Sequence, residues 1–193
     1  MLRGRTDHPL SEVGWQQMNQ ATTQVELSNN SDFPSKQWTE IISSPLQRCR
    51  SYAEHLAEST GLPLTVEQDW QEIDYGDWDG MLLTQWRKSA ASQFREFRQD
   101  ITALSPPNGE DFISFRDRIL NAWQRILQKP DGSRILLVTH GGVMRVVIPT
   151  VLDLPLNKTG VLEIPFACLS RIKIGFYGDK LQCSLVSHNS MLS

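Results

Sequence analysis

Cysteine is scarce in this sequence, and its few cysteines share no close spacing. Cys49, Cys168 and Cys183 are an odd number, which indicates neither a disulfide framework nor a zinc site and is typical of free thiols in a reducing compartment. No apolar run is long enough to cross a bilayer, and the opening stretch MLRGRTDHPL lacks the apolar core of a secretory signal. We therefore expect a cytoplasmic protein that does not span a membrane.

An excess of charge of one sign is also missing, since the formal net charge is -3 with 19 basic and 22 acidic residues. This balance gives no reason to expect a nucleic acid or a membrane as a general partner. An anionic substrate would need positive charge that is arranged locally. The length of 193 residues and the apolar fraction of 39% favour a single globular domain over residues 1–193.

Strand and helix patterns alternate along the chain, which predicts an α/β fold with a largely parallel sheet. Apolar periodicity predicts the strands and helices, and turn residues indicate where each of them ends. Alternation around Gly178-Asp179 predicts an antiparallel hairpin at the edge of the sheet. The predicted strands are 38–44, 64–68 and 134–140, the predicted helices are 11–27, 85–98, 112–127 and 143–152, and a polar loop is predicted over 28–37.

The segment SPLQRCRSYAEHLAESTGLP has the residues that begin and end a helix. Ser44 suits the N-cap, Pro45 suits the first helical position and Gly61 suits the end. Arg48 then falls in the first turn, where the helix dipole opposes a cation. An anion held at this helix N-terminus by the guanidinium would resolve the conflict, and a solvated surface arginine is the alternative.

The stretch VTHGG ends a buried strand with an ionisable side chain. His140 leaves the sheet where a new helix should begin, and Gly141 and Gly142 allow the backbone to approach a ligand closely. A cationic His140 could join the exposed N–H groups of the helix in holding a phosphate. A structurally satisfied core histidine is the alternative.

The acidic loop QEIDYGDWDG offers four carboxyl groups among aromatic side chains: Glu72, Asp74, Asp77 and Asp79. A carboxyl group held against aromatic rings can have a raised pKa and donate a proton near neutral pH. A solvated acidic loop is the alternative for the three aspartates. The histidines and cysteines show no paired spacing of metal ligands, so we expect no metal and no other cofactor.

Taken together, these motifs resemble one family across nearly the whole chain. GRTDHPLSEVGWQQ, IISSPLQRC, QEIDYGDWDG, PPNGED and LLVTHGG have the order and approximate spacing of the histidine phosphatase, or phosphoglycerate mutase-like, superfamily. The detail around QEIDYGDWDGM looks most like alpha-ribazole phosphatases of cobalamin synthesis. The resemblance implies a three-layer α/β/α sandwich with a mostly parallel central sheet and an antiparallel edge. It leaves the oligomeric state open.

The resemblance also implies a two-step phosphoryl transfer through a phosphohistidine, with a small phosphate ester as substrate. Arg48 matches the arginine that grips the phosphoryl oxygens, and His140 matches a second histidine that stabilises them. Glu72 matches the acid that protonates the leaving oxygen and then activates water. Gly4 and Gly141 match positions that contact the substrate. Such a transition state mainly requires positioning and positive charge around the phosphoryl oxygens.

The family's nucleophilic histidine has no counterpart in this sequence. The resemblance places it in an Arg-His-Gly motif at the end of a first strand, upstream of GRTDHPL, and His8 falls downstream of that point. We therefore expect an N-terminally truncated domain that lacks the first strand and is inactive alone. The complete protein is expected to hydrolyse phosphomonoesters, alpha-ribazole 5′-phosphate among them. A sugar-phosphate phosphatase, a phosphoglycerate mutase and a non-catalytic phosphate-binding module remain alternatives, with specificity expected from residues 84–105.

Overall fold

The described part of the chain, residues 1–27 and 38–189 of a computed structural model, alternates helices with strands as the apolar pattern predicts. The loop predicted over 28–37 lies outside the described residues. Within the described residues, 3-10 segments connect the longer elements at Gln68–Trp70, Gly76–Trp78, Ile101–Ala103 and Leu156–Val161. The elements are α1 (Glu12–Leu27), β1 (Glu40–Ser43), α2 (Gln47–Thr60), β2 (Leu64–Val66), α3 (Leu83–Ser89), α4 (Ala91–Gln99), α5 (Phe112–Leu127), β3 (Ile135–Val138), α6 (Gly141–Val151), β4 (Ser170–Tyr177) and β5 (Lys180–His188).

A parallel sheet in the order β2-β1-β3 forms the centre, with Ser43 opposite both Val66 and Val138. Successive side chains of a strand point to opposite faces, so each apolar strand supplies two layers of contacts. Ile41 and Leu136 belong to one apolar cluster with residues of α2, whereas Ile42 belongs to another with residues of α5 and α6. Helices therefore cover both faces, and the predicted α/β/α layering is confirmed.

The predicted hairpin is present, with β4 and β5 antiparallel and Gly178 in the turn at a φ of 59°. Its strands pair with each other and form a sheet of their own. No strand in residues 1–27 and 38–189 joins β3 to β4, so the hairpin does not extend the parallel sheet as the predicted edge would. Instead it packs beside α6.

The start of α2 differs from the prediction. Ser44 does not cap the helix, which begins at Gln47 after Leu46, and Pro45 precedes the first turn. The Ser44 hydroxyl lies 2.7 Å from His140 Nε2, while the Gln47 N–H donates to the carboxylate of Asp7 at 2.6 Å. A remote carboxylate therefore satisfies a free N–H of this helix start.

The helix predicted over 85–98 is two helices, because the chain breaks at Ala90 with a φ of -133° and a ψ of 49°. The break allows Phe94 and Phe97 of α4 to pack on the buried Trp86 of α3, with ring centroids 5.0 and 5.3 Å apart. Burial of these rings is favourable enough to override local helix propensity.

The apolar stripe of α5 lies in the core as predicted, and the helix begins where Asp111 accepts a hydrogen bond from the Ser114 N–H at 3.0 Å. The last helix, α6, begins two residues before the predicted Val143, at Gly141. Within the described ranges, no helix combines the length and the apolar character that a membrane crossing requires.

Candidate active site

The candidate site lies at the carboxyl ends of β1 and β3, which are neighbours in the parallel sheet. In open α/β sheets this edge is where ligands bind. The chain leaves β1 through Ser44 to α2, and it leaves β3 through Thr139 and His140 to α6. This topology brings Arg48 of α2 to His140, with 3.3 Å between Arg48 Nε and His140 Nδ1.

His140 is buried, with 7% of its surface exposed, and its hydrogen bonds define its tautomer. A guanidinium N–H always donates, so Nδ1 must accept from Arg48 and Nε2 must carry the proton that points to Ser44 Oγ at 2.7 Å. Burial, together with the positive charges of Arg48, Arg5 and Arg118, lowers the pKa of His140 well below its ordinary value. The ring is therefore neutral, which differs from the cationic state predicted for it.

Cys49 packs against the ring of His140, with its sulfur 3.6 Å from Nδ1. Its thiol donates to the carbonyl oxygen of Thr139 at 3.3 Å. Burial raises the pKa of Cys49 to about 12, so the group is a thiol at neutral pH. Cys49 supports the histidine and does not supply a nucleophile.

The Arg48 guanidinium is surrounded by neutral acceptors. It donates to the carbonyl oxygens of Gly4 at 2.7 Å, Thr6 at 3.0 Å and Arg3 at 3.4 Å, in addition to His140. No carboxylate in the described residues forms an ion pair with it. Because charge-assisted hydrogen bonds are roughly twice as strong as neutral ones, an oxyanion can compete for these donors.

Glu72 is the buried carboxyl group of the site, with 8% of its surface exposed. One oxygen accepts from its neighbour, the Ile73 N–H, and the other from the Gly142 N–H at the start of α6, each at 3.0 Å. Burial raises the pKa of Glu72, while these two hydrogen bonds and the charges of Arg48 and Arg118 oppose the increase. The carboxyl group is thus closer to exchanging a proton near neutral pH than a solvated glutamate.

Of the two adjacent glycines, Gly142 is the one that packing against Glu72 requires, and the prediction that Gly141 contacts the substrate is a separate one. A methyl group on Gly142 would collide with the carboxylate of Glu72, whereas one on Gly141 would meet only a methyl of Ile164 at 3.9 Å. The sequence shows two adjacent glycines and gives no sign of which one faces the carboxyl group.

Gly4 belongs to a loop that Asp79 fixes from the other side. The Asp79 carboxylate accepts from the Gly4 N–H at 2.8 Å and from the Thr6 N–H at 2.6 Å. Burial alone would raise the pKa of Asp79, but these hydrogen bonds outweigh that effect, so the pKa of Asp79 is lowered overall. A side chain at Gly4 would also collide with the carbonyl oxygen of Ile73. Asp79 is therefore a positioning residue, not the solvated loop carboxylate that was its alternative.

Arg118 and Glu110 form a second support that was not predicted from the sequence. The Arg118 guanidinium binds both oxygens of Glu110, at 2.9 and 2.7 Å, and also reaches the carbonyl oxygens of Asp69 and Gln71 just before Glu72. A signal was present, because Arg118 adjoins Ile119 in the buried stripe of α5.

The remaining candidates do not enter the site. Asp74 accepts from the Gly76 N–H at 2.8 Å and shapes the loop, and Asp77 accepts from the Asn108 amide at 3.1 Å. Across the described ranges, no group of three or more His, Cys, Asp or Glu side chains could hold a metal ion.

A sequence model of the histidine phosphatase superfamily (branch 1) matches residues 1–189. The chain is 29% identical to a bifunctional protein of Mycobacterium tuberculosis over 176 residues, which are 91% of this chain and 46% of that protein. It is 28% identical to an uncharacterized phosphatase, PhoE, of Bacillus subtilis over 193 residues, which are 99% of this chain and 88% of PhoE. The chain thus spans about half the length of the mycobacterial relative.

Solved structures show the same fold. A mycobacterial glucosyl-3-phosphoglycerate phosphatase in complex with VO3 superposes with a TM-score of 0.80 at 25% identity, covering 98% of this chain and 90% of that one. The alpha-ribazole phosphatase from Shigella flexneri gives a TM-score of 0.80 at 22% identity, covering 98% and 88%.

Proposed function

Because the chain belongs to the histidine phosphatase superfamily, we propose that this site binds the phosphoryl group of a small phosphate ester and supports its hydrolysis. The observation that carries the proposal is the pair of Arg48 and His140, which lie with the buried acid Glu72 at the carboxyl ends of β1 and β3. Arg48 exchanges neutral carbonyl partners for phosphoryl oxygens, which raises the strength of its hydrogen bonds. Vanadate and phosphate complexes of related folds support an oxyanion as ligand.

The proposed reaction has two steps. The nucleophilic histidine of an Arg-His-Gly motif attacks phosphorus, the P–O bond to the leaving group breaks, and Glu72 gives its proton to the leaving oxygen. Glu72 then takes a proton from water as that water breaks the phosphohistidine bond, which regenerates the acid and the free histidine. Arg48 stabilises the charge on the phosphoryl oxygens in both steps, and His140 does so once its Nε2–H exchanges Ser44 for a phosphoryl oxygen.

The chain itself holds a phosphate ester without turning it over, because the histidine at the site cannot serve as the nucleophile. His140 has both ring nitrogens engaged, with Arg48 and with Ser44. The test compares the 193-residue chain with a version extended upstream by a strand that ends in Arg-His-Gly. We expect phosphatase activity only in the extended version. Robust turnover by the shorter chain that is lost in both Glu72→Gln and His140→Ala would contradict this proposal.

Binding is tested separately by calorimetry with inorganic phosphate. Arg48→Ala should weaken binding at least about tenfold, since it removes charge-assisted hydrogen bonds. Arg50→Ala is the matched control, because Arg50 is exposed and pairs with Glu54 one helical turn away. Equal affinity in wild type and Arg48→Ala would contradict the proposed phosphoryl site.

We propose alpha-ribazole 5′-phosphate as one substrate, supported by the motif around Glu72 and by alpha-ribazole phosphatases among the structures of the same fold. Sugar-phosphate hydrolysis and phosphoglycerate mutation are the alternatives, since relatives include probable phosphoglycerate mutases. A panel of phosphate esters offered to the extended chain distinguishes these activities. Transfer of phosphate between acceptors, rather than its release, would identify a mutase.

A further inference from the structure

The segment 162–164 lies outside the helices and strands, yet its backbone is held at two successive carbonyl oxygens. The Arg145 guanidinium of α6 donates to the carbonyl oxygen of Leu162 at 2.9 Å. His188 Nε2, at the end of β5, donates to the carbonyl oxygen of Glu163 at 2.8 Å, because a carbonyl oxygen can only accept. The segment is thus attached both to α6 and to the hairpin.

The His188 ring is itself held in place by the opposite strand. Its other nitrogen, Nδ1, lies 2.8 Å from the hydroxyl oxygen of Ser170. Ser170 and His188 are paired residues of β4 and β5. Both ring nitrogens therefore have partners, and the donor that reaches the Glu163 carbonyl has a defined direction.

Ile164 follows these two anchored carbonyl groups, and its side chain lies beside the first turn of α6. A methyl group placed on Gly141 would be 3.9 Å from Ile164 Cγ2, which is a van der Waals contact. The next residue, Gly142, donates its N–H to the Glu72 carboxylate at 3.0 Å. Ile164 and the Glu72 carboxylate therefore flank the same turn of α6, and Ile164 is only partly buried there.

The position of Ile164 matters because of where the leaving group of a bound ester must be. In the proposed reaction Glu72 gives its proton to the leaving oxygen, so that oxygen lies at the Glu72 carboxylate. The group attached to the oxygen can then lie against Ile164, on the other side of the same helical turn. A branched apolar side chain offers no hydrogen bond to a charged group that has lost its water, whereas an apolar surface gains from burial against it.

We propose that Ile164 is a specificity-determining residue that forms an apolar wall for the leaving group, with Arg145 and His188 holding the backbone before it. The substrate class is then a phosphomonoester whose alcohol carries an apolar or aromatic face. This class includes alpha-ribazole, which has an aromatic ring system, and it disfavours a phosphoglycerate. The inference rests on the phosphoryl site proposed for Arg48 and His140.

The experiment compares two probes that cannot be hydrolysed, benzylphosphonate and ethylphosphonate, which carry a phenyl and a methyl group on the same methylene phosphonate. Affinities for the 193-residue chain are measured by calorimetry or NMR titration. We expect wild type to bind benzylphosphonate about five- to tenfold more tightly, because the ring removes more apolar surface from water. Ile164→Ala should reduce this preference to less than about twofold and change the affinity for ethylphosphonate by less than about twofold. Ile164→Val retains Cγ2 and should keep most of the preference.

Val161→Ala is the matched control, because Val161 lies just before the segment and is 75% exposed, so both affinities should stay unchanged. The midpoint of thermal unfolding shows that Ile164→Ala is folded. Equal weakening of both probes by Ile164→Ala would assign Ile164 to the phosphoryl group and overturn the inference, as would an unchanged preference. If wild type binds both probes equally well, the apolar wall is wrong and the phosphoryl site stands. If wild type binds neither probe, the proposed function falls together with this inference.

Discussion

At the carboxyl ends of β1 and β3, polar side chains are buried and meet specific partners, whereas the hairpin of β4 and β5 leaves large apolar side chains in solvent. Glu72 and His140 are 8% and 7% exposed, while Phe176 and Tyr177 near the hairpin turn are 69% and 81% exposed. Burying polar groups is costly unless they are paired, and pairing them fixes their positions. The side chains at the carboxyl ends of β1 and β3 are therefore held in fixed positions by their partners, whereas the exposed side chains of the hairpin are not.

The difference predicts how each region responds to change. In the buried network, one side chain determines the place of the next, from Asp79 through the Gly4 loop to Arg48 and His140. An altered residue there loses its own interaction and displaces its neighbours. In the hairpin, backbone pairing between β4 and β5 supplies the order, and many of the side chains are exposed to water.

The largest effect is expected from Gly142→Ala at the sheet edge. The added methyl group collides with the Glu72 carboxylate, so we expect the free energy of unfolding to fall by about 1–3 kcal/mol, as for overpacked cores. Urea unfolding measures it. Gly141→Ala is the matched control and should be neutral or slightly stabilising, because its methyl group has room and alanine favours a helix. Equal destabilisation by the two variants would show that the contact with Glu72 is not what matters.

Asp79→Asn should have the next largest effect. The asparagine oxygen cannot replace a carboxylate that accepts from two N–H groups through its two oxygens, so we expect a loss of about 1–2 kcal/mol in unfolding free energy. Phosphate affinity should fall as well, because the Gly4 loop positions Arg48. Asp77→Asn is the control, since Asp77 is exposed and its carboxylate accepts hydrogen bonds from the side chain of Asn108. It should change stability by less than about 0.5 kcal/mol.

His140 predicts a dependence of stability on pH. Its folded-state pKa is lowered, so below an unfolded pKa of about 6.5 the unfolded chain binds a proton that the folded chain does not. The free energy of unfolding should therefore decrease as pH falls from about 7 to 5. Urea unfolding across this range should show a shallower decrease in His140→Gln than in wild type. The exposed His8→Gln serves as control.

Glu72 acts in the opposite direction and can be separated from His140 by its own variant. Its folded pKa is raised, so its contribution to stability is fully present below an unfolded pKa of about 4.3 and is lost as pH rises through the folded value. Glu72→Gln should remove this loss and leave the histidine dependence in place. An unchanged slope in His140→Gln would show that the buried ring is already protonated in the native protein.

The same contrast explains which features the sequence could predict. The strands, the α5 stripe and the hairpin follow from apolar periodicity, which records local geometry. Arg48, Glu72, His140 and Gly4 were also predicted as site residues, and the structure places them close together at the carboxyl ends of β1 and β3. The break at Ala90 was missed because it depends on Trp86 packing against rings later in the chain.

The partners within the site depend on contacts that no local pattern encodes. Ser44 is a residue type that commonly caps helices, but its hydroxyl contacts His140, which lies 96 positions later in the sequence. Among three aspartates of one loop, only the fold determines that Asp79 receives the N–H groups of Gly4 and Thr6.

The smallest effect is expected from Phe176→Thr in the hairpin. Phe176 is 69% exposed, and threonine retains the preference for a strand, so we expect a change of less than about 0.5 kcal/mol in unfolding free energy. Phosphate affinity should also be unchanged, since the hairpin is not hydrogen-bonded to the parallel sheet. Urea unfolding and calorimetry on the same sample measure both. A loss above about 1 kcal/mol would mean that this face of the hairpin is packed in solution. The two regions would then differ in the polarity of their side chains and not in how deeply those side chains are buried.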